Sequence, residues 1–175
     1  MRRQLEMSVS TIATITTVNP AFLEEIKDSN ATLWQHLAAL RETYESHEIR
    51  PSVLHRLVNL LNEVRDLLAL QFALEESYGY MEVPVSASGA SVVSLPSSAH
   101  GRYSPEQIRG QHCSLYLTAS ELAEKAEELQ YRGFVAERAA QLVEQVKQFD
   151  LQLQDHERAE RQLLEASRQS HRRKR

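Results

Sequence analysis

Residues 134–165 read FVAERAAQLVEQVKQFDLQLQDHERAERQLLE. Spaced alternately by four and three, Val135, Ala139, Leu142, Val146, Phe149, Leu153, His156, Glu160 and Leu163 fall on one line. That line is the buried seam of a long helix packed at a shallow angle against other helices. It is apolar for six positions, turns polar at His156 and Glu160, and is apolar again at Leu163. A histidine and a carboxylate one turn apart then face a core, where an unpartnered charge is costly. Something polar inside the bundle must meet them, and a metal ion is the natural candidate.

Three further helices are predicted upstream. The first starts at Asn19-Pro20, a cap followed by proline at the first helical position, and runs to about Ser46. Its stripe is Ile26, Leu33, Leu37, Leu40 and Tyr44, with His36 on or beside it. The second starts near Pro51 and ends around Gly79. Its stripe runs Leu54, Leu57, Leu61, Val64, Leu68, then Gln71, Phe72 and Glu75, so it too turns polar late. The third opens with Ser104-Pro105-Glu106-Gln107, a capping-box pattern. Its stripe is Ile108, His112, Leu115, Ala119, Leu122, Ala126 and Leu129, with Tyr116 one turn after His112, and it ends near Gly133. The fourth is the opening stretch, extended as far as Ser170.

Short connections between the first and second helices and between the third and fourth imply an antiparallel up-down-up-down four-helix bundle over residues 19–170. Residues 1–18 are expected to be a disordered or extended arm, 79–103 an irregular Ser/Ala/Gly/Pro-rich loop, and 171–175 a solvated basic tail. Counting along the helices puts His112 about twenty residues before the last turn and His156 a similar distance after it. Glu75 and His112 flank the long loop closely. His36 is out of step with Gln71 unless the second helix bends. The three histidines and two glutamates that interrupt four stripes thus fall largely in one layer, and a shared polar site outweighs independent accidents.

Composition narrows the function classes. The chain has 175 residues, with 42% hydrophobic and 25% charged, enough for one domain with a sizeable core. A net charge of −4 provides no overall basic field for nucleic acid. No apolar run approaches the ~18 residues of a membrane span, and no leader pattern follows Met1, so a cytoplasmic protein is expected. The single cysteine, Cys113, excludes an internal disulfide and a Cys-rich zinc site, and it reads as a small packing residue.

The motifs in order are Trp34-Gln35-His36-Leu37, Gln71-Phe72-Ala73-Leu74-Glu75-Glu76, Gln111-His112-Cys113-Ser114-Leu115-Tyr116 and His156-Glu157-Arg158-Ala159-Glu160-Arg161. Together they resemble a hemerythrin-like domain, the histidine–histidine–glutamate cation-binding four-helix bundle, over about residues 20–166. The resemblance implies metal ligands at His36, Glu75, His112, His156 and Glu160. It implies a non-haem iron centre, with one or two ions, that senses or handles iron, oxygen or peroxide. The sequence departs from the family at Gln71 and Tyr116, which stand where the family has histidines, and at Arg161, where the oxygen carriers have their last acid. Gln71 and Tyr116 are left as weak ligands or as hydrogen-bonding partners of the ligands. Glu160, four residues after His156, matches a variant found in iron-sensing members.

Imidazole and carboxylate together suit iron, manganese or zinc. A contrasting expectation is a structural or interaction bundle without metal, in which Gln71, Tyr116 and Arg161 join a hydrogen-bonded network and Arg161 replaces the cation. A ferritin-like di-iron oxidase requires Glu-x-x-His on two helices, which the seams lack. No catalytic group is assigned.

Overall fold

The computed structural model describes residues 14–45, 50–84 and 103–173. The expectations for residues 1–13, for 85–102 of the loop and for the last two residues of the tail lie outside the described residues. The described chain is mostly helical, with a two-stranded sheet: β1 (Thr14–Val18), α1 (Pro20–Ser29), α2 (Ala31–Glu45), α3 (Pro51–Leu74), a π-helical turn (Glu75–Gly79), β2 (Tyr80–Pro84), α4 (Pro105–Arg132) and α5 (Ala136–Arg173).

The predicted first helix is two helices. Asn30 ends α1, its N–H reaching the Lys27 carbonyl at 3.2 Å, and then caps α2 by accepting from the Leu33 N–H. Asparagine competes with its own helix through a short amide side chain, which suits a junction of this kind. Pro51 opens α3 and Pro105 opens α4 at positions where a missing N–H is harmless. The α4 capping box forms as the sequence predicts, Ser104 Oγ accepting from the Gln107 N–H and Gln107 Oε1 from the Ser104 N–H at 2.9 Å. Gly133 closes α4 at φ +101°, a conformation that a Cβ would strain. The α5 helix continues through the start of the basic tail, to Arg173.

Residues 14–18, expected as part of a loose arm, form β1, and its partner comes from the start of the stretch expected as an irregular loop. β1 runs antiparallel to β2 with Thr14 opposite Pro84 and Val18 opposite Tyr80. The sheet is fixed to α4 by the Thr16 N–H on Glu106 Oε1 (3.1 Å) and by Arg109 on Glu82 (3.1 Å). It is held to the end of the π-helical turn by the Asn19 N–H on the Gly79 carbonyl (2.8 Å). At Gly79 a Cβ would come within 2.2 Å of Leu23 Cδ2 and 2.8 Å of its Cγ, so any side chain there would displace the fully buried Leu23 of α1.

Around the helical part, α2 packs on α3, α3 on α4, α4 on α5, and α5 back on α2. A large apolar core fills the space between them, from Leu33, Leu37 and Leu40 through Leu57, Leu61 and Leu68 to Leu122, Val146 and Leu153. A second, smaller cluster of Leu23, Tyr80, Ile108, Ala159, Leu163 and Leu164 lies beneath the sheet. Four chain segments cross from one cluster to the other, and besides Leu23 to Leu33 these are Phe72 to Tyr80, Ile108 to Leu115, and Leu153 to Leu163; the last three matter for the site. Each carries buried polar residues in between: Glu75, His112, and His156 with Glu160. The polar layer is therefore sealed above and below by apolar packing. No helix among the described residues is long and apolar enough to cross a membrane.

Candidate metal centre

Glu75, His112, His156 and Glu160 each offer one ligand atom, and the four atoms lie within 4.8 Å of one another. All four side chains are buried, none more than 2% exposed. Glu75 is the first residue of the π-helical turn that continues α3. Such turns add a residue to the helical repeat and re-aim the side chains around them. His112 comes from the second turn of α4, and His156 and Glu160 stack one turn apart on α5.

In each side chain a hydrogen bond holds one polar atom and leaves the other turned towards the shared space. Glu75 Oε1 accepts from the Gln71 amide at 2.9 Å, and Gln71 Oε1 accepts from Asn30 at 2.9 Å. Glu160 Oε1 accepts from the Tyr80 hydroxyl at 2.8 Å. His112 Nδ1 is 3.1 Å from Glu76 Oε1, and His156 Nδ1 is 3.0 Å from Gln111 Oε1. The opposite atoms, Glu75 Oε2, His112 Nε2, His156 Nε2 and Glu160 Oε2, are buried without a hydrogen-bond partner. The contacts these atoms do make are electrostatic, Glu75 Oε2 to His112 Nε2 at 3.4 Å and the Lys27 ammonium to Glu160 Oε2 at 2.5 Å. Buried polar atoms are nearly always satisfied, and His156 Nε2 is left in the same layer with neither kind of partner, which suits an ion shared by all four. Since the Nδ1 atoms face acceptor oxygens, each imidazole carries its proton on Nδ1 and presents the Nε2 lone pair inward. That is the arrangement by which carboxylates and carbonyls orient metal-binding histidines.

The electrostatics agree. Burial lowers the His112 and His156 pKa values, that of His156 to about 4, so both rings are neutral at pH 7. Burial, and then the nearby Glu160 charge, push Glu75 up to about 9, so without a cation it holds a proton. Burial also works against Glu160, but Lys27, His156 and the Tyr80 hydroxyl more than offset it and keep that carboxylate below its usual range. Burial, with Glu160 beside it, drives Tyr80 upward, so its hydroxyl stays a neutral donor. Two neutral imidazoles and two carboxyl groups around one buried space form a donor set that a divalent transition ion satisfies and neutralises. Phe72 stacks on the His112 ring, with centroids 4.3 Å apart, and closes the side towards the main core.

Not every residue singled out in the sequence reaches this place. His36 is half-buried on α2 and turns back on its own helix, its Nδ1 2.8 Å from the Thr32 carbonyl; it is not among the four converging residues. Gln71 is buried next to the site, but both ends of its amide are engaged by Glu75 and Asn30. Tyr116 is 38% exposed on the outer side of α4, and Cys113 is exposed as well. In the place expected for His36, the first helical pair contributes Lys27, whose ammonium pairs with Glu157 and lies 2.5 Å from Glu160 Oε2. The phenol near the site is Tyr80. Lys27, Tyr80, Gln111 and Glu157 escaped the sequence reading. Lys27 lies one residue after Ile26 of the apolar stripe and looks like an ordinary flanking charge, and Tyr80 sits in a stretch with no helical period. Gln111 and Glu157 had a visible signal, since each neighbours a site histidine in sequence.

Comparisons with protein-family models, with curated proteins and with solved structures matched none of them to this chain.

Proposed function

We propose that this protein binds one divalent transition-metal ion, iron foremost, through Glu75, His112, His156 and Glu160. The arrangement we infer around it is a hemerythrin-like up-down-up-down bundle that senses or handles iron, oxygen or peroxide. The observation that carries the reading is the convergence of four buried ligand atoms within 4.8 Å of one another, each on a side chain whose other polar atom is fixed by a hydrogen bond. This is how a preorganised site differs from a chance polar layer: the ligands are aimed before the ion arrives. Four ligands leave further positions of a six-coordinate ion open, and iron there would supply redox and Lewis-acid chemistry. The chain itself buries the four ligands, holds the imidazole protons on Nδ1 and keeps Glu160 anionic.

The test is metal content by plasma mass spectrometry on protein purified without a histidine tag, as isolated and after anaerobic incubation with ferrous iron. About one ion per chain is expected, lost in the His112→Ala/His156→Ala double variant. Full occupancy in that double variant overturns the ligand assignment.

One observation favours a second reading, a helical bundle held together without metal. The ammonium of Lys27 already places a positive charge against Glu157 and Glu160. That reading predicts that no metal loads even anaerobically and that chelators leave the melting temperature unchanged.

A further inference from the structure

Lys27 touches the candidate centre from one side only. A cleft of about 550 Å³ runs between α1, α2 and α5, and Lys27 and Glu157 are part of its wall, with Trp34, Leu37, Arg41 and Leu153. Glu160 does not reach the cleft and is fully buried. From the cleft, the first groups met on the way to Glu160 are the Lys27 ammonium and the Glu157 carboxylate. The ammonium lies 2.5 Å from Glu160 Oε2, the oxygen that the Tyr80 hydroxyl does not hold. The neighbouring Glu157 also has a buried oxygen, Oε1, without a hydrogen-bond partner.

An ammonium and a divalent ion cannot share that oxygen. Like charges a few ångströms apart in a poorly screened interior repel by several kcal/mol. A lysine is a point charge on a flexible four-carbon stem, so it can be moved without rebuilding the helix that carries it. The second acceptor it needs is next to it, the free oxygen of Glu157, and Lys27 already pairs with that carboxylate.

We propose that Lys27 is an exchangeable counter-cation of the metal centre. In the metal-free protein its ammonium balances Glu160. When a divalent ion takes Glu160 Oε2, the ammonium moves outward to Glu157, in the wall of the cleft between α1, α2 and α5. The inference rests on the metal-binding reading. It adds that loading is a cation exchange, in which affinity is held down by a residue that is not a ligand.

The experiment compares the full-length wild type with Lys27→Met and Lys27→Gln. Gln keeps a hydrogen-bond donor towards the carboxylates and guards against a folding failure in the Met variant. Affinities for Mn(II) and, anaerobically, Fe(II) are measured by competition with a chromophoric chelator, and metal-free melting is followed by circular dichroism. Both variants are expected to bind at least about tenfold more tightly than wild type while their metal-free forms melt lower. A purely structural lysine cannot produce a gain in affinity on removal. Wild type that loads metal, with variants that load it equally or more weakly, overturns the exchange and leaves the metal site standing. Variants that load metal when wild type does not support the exchange in its strongest form. No loading by any of the three brings down both the metal site and this inference.

Discussion

At the scale of single residues, the centre is defined by which atom of each side chain is occupied. Tyr80 shows the point. It is not placed to bind an ion, but its hydroxyl holds Glu160 Oε1 at 2.8 Å, so that Oε2 is the oxygen left for one. Its ring also lies edge-on to His112, with centroids 5.8 Å apart, and its exposed area is only 4%. Tyr80→Phe removes the donor and leaves the packing. Glu160 is then free to rotate, and metal affinity is expected to fall by roughly 10- to 100-fold, the usual cost of losing a group that orients a ligand. The metal-free melting temperature should fall as well, since Glu160 Oε1 is fully buried and loses its hydrogen bond at a cost of about 1–3 kcal/mol, while Lys27 contacts only Oε2. The same competition assay with Mn(II) checks this, and unchanged affinity would show that the Tyr80 bond is incidental.

At the scale of elements, what matters is how α2 is clamped to α5, the helix that carries Glu157 and Glu160. The clamp is Asp150, buried on α5. Arg41 of α2 holds it in a fork, Nε at 2.9 Å from Oδ2 and a terminal nitrogen at 2.7 Å from Oδ1, while Tyr44 donates at 2.8 Å and Gln154 at 2.7 Å. Burial pushes the Asp150 carboxyl up, but the hydrogen bonds from Arg41 and Tyr44 more than offset it and hold the group below its ordinary value of 3.8. A depressed folded pKa stabilises at all pH above the unfolded value and is lost as pH falls through the folded one. Asp150→Asn is therefore expected to cost about 2 kcal/mol near neutral pH, moderated by the partial exposure of Arg41. The gap to wild type should stay constant from about pH 5 to 8 and close below about pH 4. Denaturant midpoints across that range test it, and a gap that persists undiminished in acid would show that the loss is one of shape and not of charge.

The elements also show where the sequence was legible. Long stripes at helical spacing located α3, α4 and α5 to within a few residues, because each has one continuous buried face. The same stripes marked Glu75, His112, His156 and Glu160, since a polar residue on an apolar seam is visible in one dimension. Two kinds of information were not. The break at Asn30 does not interrupt the run of buried positions, Ile26 and then Leu33, so one helix and two read alike. Thr14–Val18 and Tyr80–Pro84 each lack a strong period, and their pairing is a long-range fact that neither segment carries alone. His36 drew attention as a histidine on the flank of a stripe, while the side chain that reaches the carboxylates, Lys27, has the residue type most often found in solvent.

At the scale of the whole molecule, the polar layer is a weakness that a bound ion would repair. Glu75 Oε2, His112 Nε2, His156 Nε2 and Glu160 Oε2 lie without hydrogen bonds between two apolar clusters, with only Lys27 beside Glu160 and the Glu75–His112 contact to offset their burial. A buried atom with no partner at all, as His156 Nε2 is, costs on the order of 1–3 kcal/mol of folding free energy. Because three of the crossing segments, on α3, α4 and α5, each contribute a ligand, an ion there ties the two clusters into one cooperative unit. An ion that binds only the folded chain stabilises it by about 2.7 kcal/mol when present at one hundred times its dissociation constant. For a chain of this size that corresponds to a rise in melting temperature of roughly 5–10 °C. The metal-loaded protein should melt that much higher than chelator-treated protein, in a single transition, and the His112→Ala/His156→Ala variant should show no such difference. Equal melting of loaded and chelated wild type would mean that the layer is already satisfied, with Lys27 as its permanent cation.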